Sequence, residues 1–163
     1  MSVITRTSLV DPRSPRLGAI ITTVVVAAAL VTQSALAPAS IALLVAQTVV
    51  FALGAAGSSP YGVLFKRYVR PRLAPPTELE DSRPLRFAQT VGLGFALVAL
   101  AGLALPTTIV TTVALAFALA AAFLNAAFGI CLGCEVYLLF RRSTLRAVPA
   151  TGQSTPIRTE VHA

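Results

Sequence analysis

Two long stretches without any charged residue constrain this chain more than any other feature of its sequence. No charged side chain occurs between Arg16 and Lys66 or between Arg86 and Glu135. A membrane-spanning helix needs roughly 20 consecutive apolar residues, so each stretch has room for two such helices and a tight turn. With 56% hydrophobic and only 12% charged residues, a chain of 163 residues carries more apolar surface than one water-soluble core can bury. The sequence therefore predicts an all-α integral membrane four-helix bundle.

Two prolines and the flanking charges delimit the four spans. Pro38 and Pro106 are expected in the two tight turns, because proline lacks an N–H and disfavours continuation of a helix. The predicted spans are Leu17–Leu36, Ala39–Ala56, Phe87–Leu105 and Thr107–Cys131. The assignment divides the chain into an N-terminal tail (residues 1–16), a membrane domain (17–142) with a central loop (58–86), and a C-terminal tail (143–163). The polar composition of that last tail predicts disorder.

The distribution of basic residues predicts the orientation of the bundle. All 13 Lys and Arg residues lie in the N-terminal tail, in the central loop or from Arg141 onwards, and the two tight turns have none. Because cytoplasmic segments of membrane proteins are enriched in Lys and Arg, both termini are expected in the cytoplasm. An anionic lipid surface then explains the net charge of +7 better than a nucleic acid does. The residues expected at lipid headgroups are Lys66, Arg67, Arg70, Arg141 and Arg142.

One alternative concerns the first span. Ala35-Leu36-Ala37 resembles a signal-peptidase site and follows a basic segment and an apolar run. That run is longer than the 7–15 residues typical of a signal peptide, which favours a retained span. Cleavage would leave three spans with the same C-terminal orientation.

The two halves of the chain resemble each other. Residues 11–17 and 81–87 both read Asp-x-Arg-x-x-Arg followed by an apolar residue, 70 positions apart. Each half also closes with Leu-Phe and two basic residues, at 64–67 and 139–142. Span entries tend to be basic in any case, but the aspartate and the spacing are not required by topology. Two tandem, parallel hairpin repeats are therefore predicted, related by a pseudo-two-fold axis along the membrane normal.

The only two cysteines, Cys131 and Cys134, form a C-x-x-C motif followed by Glu135. This spacing permits a disulfide and a redox or sulfur-transfer role, with Glu135 as a candidate for proton transfer. Two small, inert packing thiols are the main alternative. A metal site is another, but it would need two chains to supply four ligands. If the fourth helix ends at the cysteine pair, the negative end of its dipole disfavours the thiolate form of both cysteines. If the helix instead breaks at Gly133 and a new one starts there, the N-terminal amides of the new helix favour the thiolate form of Cys134.

Two side-chain amides are expected to meet inside the second hairpin. If the hairpin folds about its turn after Pro106, Gln89 and Asn125 lie at similar depth and can form a hydrogen bond between helices. The same geometry places the cysteine pair one to two turns beyond Asn125, at the cytoplasmic interface and near the acidic residues of the central loop. The pair is therefore expected to be accessible to a soluble protein.

Three segments resemble a known bacterial membrane family, catalogued as domain of unknown function 4395. They are residues 11–13, residues 83–89 (Arg-Pro-Leu-Arg-Phe-Ala-Gln) and residues 124–137, which contain Cys-Leu-Gly-Cys-Glu, the most specific part. The resemblance extends to about Arg142 and implies a four-span protein of the bacterial inner membrane. It also implies association with thioredoxin-like or rhodanese-like proteins, and hence thiol or sulfur chemistry. The family has no established catalytic residues to carry over to this chain, and the resemblance does not identify a cofactor.

Three functions follow as hypotheses. The first is a membrane thiol–disulfide or persulfide relay that works with a soluble thioredoxin-like or rhodanese-like partner through Cys131 and Cys134. The second is a non-enzymatic scaffold whose small-residue helix faces bind other helices, including those of a second copy of the chain. The third is a transporter of a small sulfur compound or metal ion, which the internal repeat would suit.

Overall fold

The computed structural model describes residues 9–34, 36–76 and 78–146, although the side chains of residues 145 and 146 are not included. Within that part of the chain the helices are α1 (Arg13–Thr32), α2 (Ala37–Ala55), α3 (Pro60–Leu64), α4 (Ser82–Gly102), α5 (Ile109–Phe128) and α6 (Leu132–Arg146). A π-helical turn (Phe65–Val69) and a 3-10 turn (Arg70–Arg72) follow α3. Two short strands, β1 (Leu9–Val10) and β2 (Glu80–Asp81), pair antiparallel.

Four of these helices are long and apolar enough to cross a membrane: α1, α2, α4 and α5. Only 17–28% of the residues in each spanning segment are buried inside the protein. The outward faces carry large apolar side chains, such as Val31 (76% exposed) and Ile109 (68% exposed). Lipid rather than water is the solvent that such faces require. The prediction of an all-α, four-span bundle is confirmed.

The first helix of each half, α1 or α4, begins about one turn earlier than predicted. Backbone N–H groups of Arg13 and Arg83 donate to the carboxylates of Asp11 and Asp81 at 3.0 and 2.9 Å. These carboxylates satisfy N–H groups that have no partner within the helix, so α1 and α4 start within two residues of the aspartates rather than at the first apolar residue. Pro38 likewise lies in the first turn of α2, where its missing N–H costs nothing, instead of in the preceding turn.

The predicted end of the fourth span at Cys131 is wrong. Helix α5 ends at Phe128, and Gly129 adopts a left-handed conformation (φ 72°) with its N–H donating to the carbonyl of Asn125. Glycine takes this conformation without the steric cost of a Cβ, so it terminates the helix. A separate helix, α6, then extends to Arg146, beyond the predicted domain boundary at residue 142. Residues 147–163, the rest of the predicted disordered tail, lie outside the described residues.

The contacts of the bundle have the two-fold pattern that the repeat predicts. Helix α1 packs on α2 and α5, and α4 packs on α5 and α2. The guanidinium of Arg16 in α1 donates to carbonyls of residues 126 and 127 at the end of α5, at 3.1 and 3.3 Å. Arg86, its counterpart 70 residues later, donates to the carbonyl of Ala55 at the end of α2 at 3.2 Å. Each half thus caps the second helix of the other half with a cation.

The short strands fit the same symmetry. Val10 pairs with Glu80, which lies 70 residues later, so this pair lies on the pseudo-two-fold axis. We call this end of the bundle, where α1 and α4 begin and α2 and α5 end, the basic end. Helix packing, arginine caps and strand register are all consistent with the predicted tandem repeat.

The core lies between the four spans and is built from small side chains. Its fully buried members include Ala29, Leu44, Ala99 and Leu115. Small residues let helix backbones approach closely, which is how helices associate when lipid provides no hydrophobic driving force. The hydroxyl of Thr111 donates to the carbonyl of Ala99 at 3.1 Å and holds α4 to α5.

Candidate functional site

The cysteine pair lies at the start of α6, where that helix leaves the basic end of the bundle. Cys131 immediately precedes the helix, and its carbonyl accepts the N–H of Glu135 at 3.0 Å, the first bond of the new helix. Cys134 follows one turn later on the same face. Both thiols are free and half-buried. The chain therefore breaks at Gly129 rather than at Gly133, and the favourable helix terminus belongs to Cys131.

Three groups hold the pKa of the Cys131 thiol low, at about 7. The largest contribution is a hydrogen bond from the thiol of Cys134, and backbone N–H groups of Cys134 and Gly133 also point at the sulfur. Burial and the charge of Glu135 act in the opposite direction but are outweighed. Donors directed at a sulfur stabilise the thiolate, the form that acts as a nucleophile.

The same hydrogen bond raises the pKa of Cys134, because losing that proton would remove the bond to Cys131. Burial, the negative charge on Cys131 and the carboxylates of Glu80 and Glu135 raise it further. Near neutral pH Cys131 is therefore partly ionised, whereas Cys134 keeps its proton. The proximity of Glu80 agrees with the predicted position of the pair beside the acidic residues of the central loop.

Glu135, the third predicted catalytic residue, lies exposed in the first turn of α6. Its charge raises the pKa of both cysteines, so as a carboxylate it opposes formation of the thiolate. A role in proton transfer stays a prediction.

Helix α6 is held against α4 by close packing at one glycine. A Cβ added to Gly133 would come within 2.7 Å of the Cα of Ala88, so only glycine permits this approach. One turn further along, the rings of Tyr137 and Phe87 lie 5.7 Å apart. These contacts fix α6, and the cysteines at its start, against the span that follows the acidic segment. Gly133 is thus the residue that allows α6 to approach the backbone of α4.

A cavity of about 290 Å³ extends from Cys131 into the bundle. It lies between α1, α4 and α5, and Cys131 and Gly133 line its end beside α6. Gln89 and Asn125, the two predicted amides, also line it. Within the described part of the chain no hydrogen bond joins these amides, so the predicted contact is not formed and both side chains face the cavity instead.

A polar network that the sequence analysis did not single out lies deeper in the first hairpin. The buried Gln47 donates to the hydroxyl of Thr22 at 3.2 Å and accepts from the hydroxyl of Tyr61 at 2.8 Å. It ties α1, α2 and α3 together, and burial raises the pKa of Tyr61. A glutamine inside an otherwise apolar span is the sequence signal that would have pointed to it.

The five basic residues predicted at lipid headgroups all have exposed side chains. Lys66 and Arg67 lie on the π-helical turn, Arg70 begins the 3-10 turn, and Arg141 and Arg142 lie on α6. The described residues contain no group of three or more His, Cys, Asp or Glu that could hold a metal ion. The cysteine pair by itself offers two ligands.

Comparison with known proteins gives one match. A family model described as a domain of unknown function, DUF4395, matches residues 10–142. The chain belongs to the DUF4395 family. The DUF4395 match covers both hairpins, the cavity and the cysteine pair, and it ends within α6. No curated protein and no solved structure matches the chain.

Proposed function

We propose that this DUF4395 protein is a membrane thiol–disulfide relay of the bacterial inner membrane, with Cys131 as nucleophile and Cys134 as resolving thiol. The observation that carries the proposal is the pair's placement at the start of α6, which lowers the pKa of Cys131 and raises that of Cys134. A thiolate beside a protonated thiol is the arrangement that disulfide exchange requires. The feature that packing alone does not explain is the placement of Cys131 where backbone N–H groups at the start of a helix favour the thiolate.

The exchange proceeds in two steps. The Cys131 thiolate attacks one sulfur of a partner's disulfide, a mixed disulfide forms, and the partner's other sulfur leaves as a thiolate. Cys134 then loses its proton and attacks the Cys131 sulfur, which closes the Cys131–Cys134 disulfide and releases the partner's second thiolate. The partner gains two electrons and the pair loses two. Each step is reversible.

The low pKa of Cys131 favours the reverse direction. A stabilised thiolate stabilises the reduced pair, and it is also a good leaving group when a partner dithiol attacks the disulfide. The Cys131–Cys134 disulfide is therefore expected to accept two electrons from a soluble dithiol. A thioredoxin-like protein has the required chemistry, and a rhodanese-like protein, which carries a sulfane sulfur, is the related alternative.

The positive-inside rule supports a cytoplasmic location for the basic end. The cysteines lie at that end, close to Glu80 of the central segment, so a soluble cytoplasmic protein has access to them. The exposed basic residues on the π-helical turn and on α6 support contact with anionic headgroups. Each basic residue near such a surface contributes about 1 kcal/mol of electrostatic attraction.

The test uses full-length protein in lipid nanodiscs and a thioredoxin-class protein that keeps one active-site cysteine, activated as a thionitrobenzoate disulfide. Attack by Cys131 releases coloured thionitrobenzoate. Because that group leaves, the partner remains bound as a mixed disulfide. We expect Cys134→Ala to retain this adduct, the unmodified protein to release it through Cys134, and Cys131→Ala to form none.

A matched control separates reactivity from mere exposure. Ser143 is exposed on α6, so Ser143→Cys in a Cys131→Ala/Cys134→Ala background presents a thiol without helix N-terminal amides. We expect the native pair to react several times faster than this control at pH 7. Equal rates, or an adduct that persists equally with and without Cys134, would overturn the relay and leave the scaffold as the better account.

A further inference from the structure

The cavity beside the cysteines changes in character along its length. At the α6 end its wall contains the Cys131 thiol and the amides of Gln89 and Asn125. At the opposite end it is lined by the rings of Phe95 and Phe117, which stack with centroids 6.2 Å apart. A molecule that fills it would meet hydrogen-bonding groups and a thiolate at one end and only hydrocarbon at the other.

The two amides need an explanation, because the cavity wall is otherwise almost entirely apolar. A side-chain amide placed in apolar surroundings without a partner loses its hydrogen bonds to water, which is unfavourable. Gln89 on α4 and Asn125 on α5 both line this space, so a ligand in it lies beside both side chains. A ligand with carbonyl oxygens on an apolar frame would satisfy both, whereas a lipid acyl chain would satisfy neither.

The hydrocarbon end leads towards lipid. Phe95 and Phe117 also line a second, wholly apolar groove between α4 and α5. Its walls include Val98, Ile109 and Val113, all of which are about half exposed or more and lie on the lipid-facing surface of the spans. Because the cavity and the groove share Phe95 and Phe117 as walls, the hydrocarbon end of the cavity lies next to a lipid-facing groove.

We propose that this cavity binds the head group of a membrane quinone, with its apolar tail in the α4–α5 groove, and that the quinone oxidises Cys131 and Cys134. At about 290 Å³ the cavity lies near the lower bound of small-molecule sites, roughly 300 Å³, which suits a single substituted ring whose tail lies outside. The amides of Gln89 and Asn125 donate to its carbonyl oxygens. The proposal rests on the relay proposed above.

The reaction balances without another reagent. From a Cys131 thiolate and a Cys134 thiol, formation of the S–S bond releases two electrons and one proton, the one bound between the two sulfurs. The quinone takes up both electrons, that proton and a second proton from water at the basic end to become a quinol. Electrons thus pass from a soluble dithiol through the pair into the membrane quinone pool.

The test measures quinol formation by pre-reduced full-length protein in nanodiscs containing a short-tailed quinone. We expect one quinol per protein and one new disulfide. Ala121→Phe fills the cavity and should slow the reaction at least tenfold, whereas Ala120→Phe, on the exposed face of the same helix, should leave the rate unchanged. Asn125→Leu should raise the quinone concentration needed for half-maximal rate. Gln33→Leu is its control because the Gln33 amide lies outside the cavity, and this change should leave that concentration unaltered.

The outcomes separate this inference from the relay itself. Exchange with the thioredoxin-class probe but no quinol overturns the quinone site and leaves the relay intact. Quinol formation that Ala121→Phe and Ala120→Phe slow equally also overturns the site. If Ala121→Phe protein still exchanges with the probe at the native rate while losing quinol formation, the site is supported and misfolding is excluded.

Discussion

Replacing Cys134 by alanine tests the physical basis of Cys131 reactivity directly. The thiol of Cys134 contributes most to the low pKa of Cys131, which is about 7. Without it, backbone N–H groups still favour the thiolate while burial and Glu135 oppose it. Because these remaining influences act in opposite directions, we expect the pKa of Cys131 in Cys134→Ala to return to about 8.5, the ordinary value of a thiol.

The expected change in reactivity follows from two opposing factors. At pH 7 the thiolate fraction falls from about one half to about 3% when the pKa rises from about 7 to about 8.5. The more basic thiolate is, however, about fivefold more nucleophilic for a Brønsted coefficient of roughly 0.45. Alkylation of Cys131 should therefore be roughly three- to fourfold slower at pH 7. At pH 9 Cys131 is largely ionised both in the native protein and in Cys134→Ala, so its alkylation in the variant should be about three- to fourfold faster.

The assay is alkylation by iodoacetamide from pH 6 to pH 10, with modification at Cys131 followed by peptide mass spectrometry. The two rate profiles should cross near pH 8. Glu135→Gln serves as a second perturbation: its charge raises the pKa of Cys131, so removing that charge should move the midpoint to lower pH. A midpoint near pH 8.5 in the native protein, unchanged by Cys134→Ala, would refute the reasoning.

Two further predictions concern the packing and capping of the helices. Gly133→Leu should separate α6 from the backbone of α4 and abolish the fast reaction of the cysteine pair with the thioredoxin-class probe. Gly94→Leu is the control, because an added Cβ at Gly94 meets nothing within 4 Å, and it should preserve that reaction. Equal effects of the two changes would contradict the packing argument. Arg16→Gln and Arg86→Gln should each lower the free energy of unfolding by about 0.5–1 kcal/mol, because each cation caps a helix C-terminus. Thermal unfolding in detergent measures this, and Arg142→Gln, on exposed α6, should shift the midpoint less.

The features that the sequence predicted well are those that follow from solvent and charge. Four spans, the tandem repeat and the position of the cysteines near acidic residues all depend on where apolar and charged side chains occur. Hydropathy does not detect helix ends, and this is where the predictions failed. Residues 128–132 are apolar without interruption, so the break at Gly129 is invisible to any argument from polarity. It is a backbone event, caused by the freedom of glycine to adopt positive φ.

The candidate site was predictable in its residue types but not in its geometry. Both cysteines and both amides were identified from the sequence, and a direct bond between Gln89 and Asn125 was expected from their equal depth. Equal depth on neighbouring helices does not determine which way side chains point. The amides instead line a cavity whose existence depends on alanines of α5 and on the approach of α6 through Gly133. Those packing details are not encoded in periodicity or charge.

The repeat explains how an inert position in one half corresponds to a reactive one in the other. In the first half, Gly57 has positive φ after α2, and the Ser59 hydroxyl then caps α3 by accepting the N–H of Gly62 at 3.2 Å. In the second half, Gly129 has positive φ after α5, and Cys131 occupies the cap of α6, where it accepts the N–H of Cys134. Both halves place the same three-residue cap at the basic end. A hydroxyl there stays neutral and only terminates a helix. A thiol in the same field of amides, with the Cys134 thiol one turn later as a further and larger hydrogen-bond donor, ionises near pH 7. The exchange of oxygen for sulfur at one cap, together with a second cysteine, thus gives a capping position the properties that a nucleophile requires.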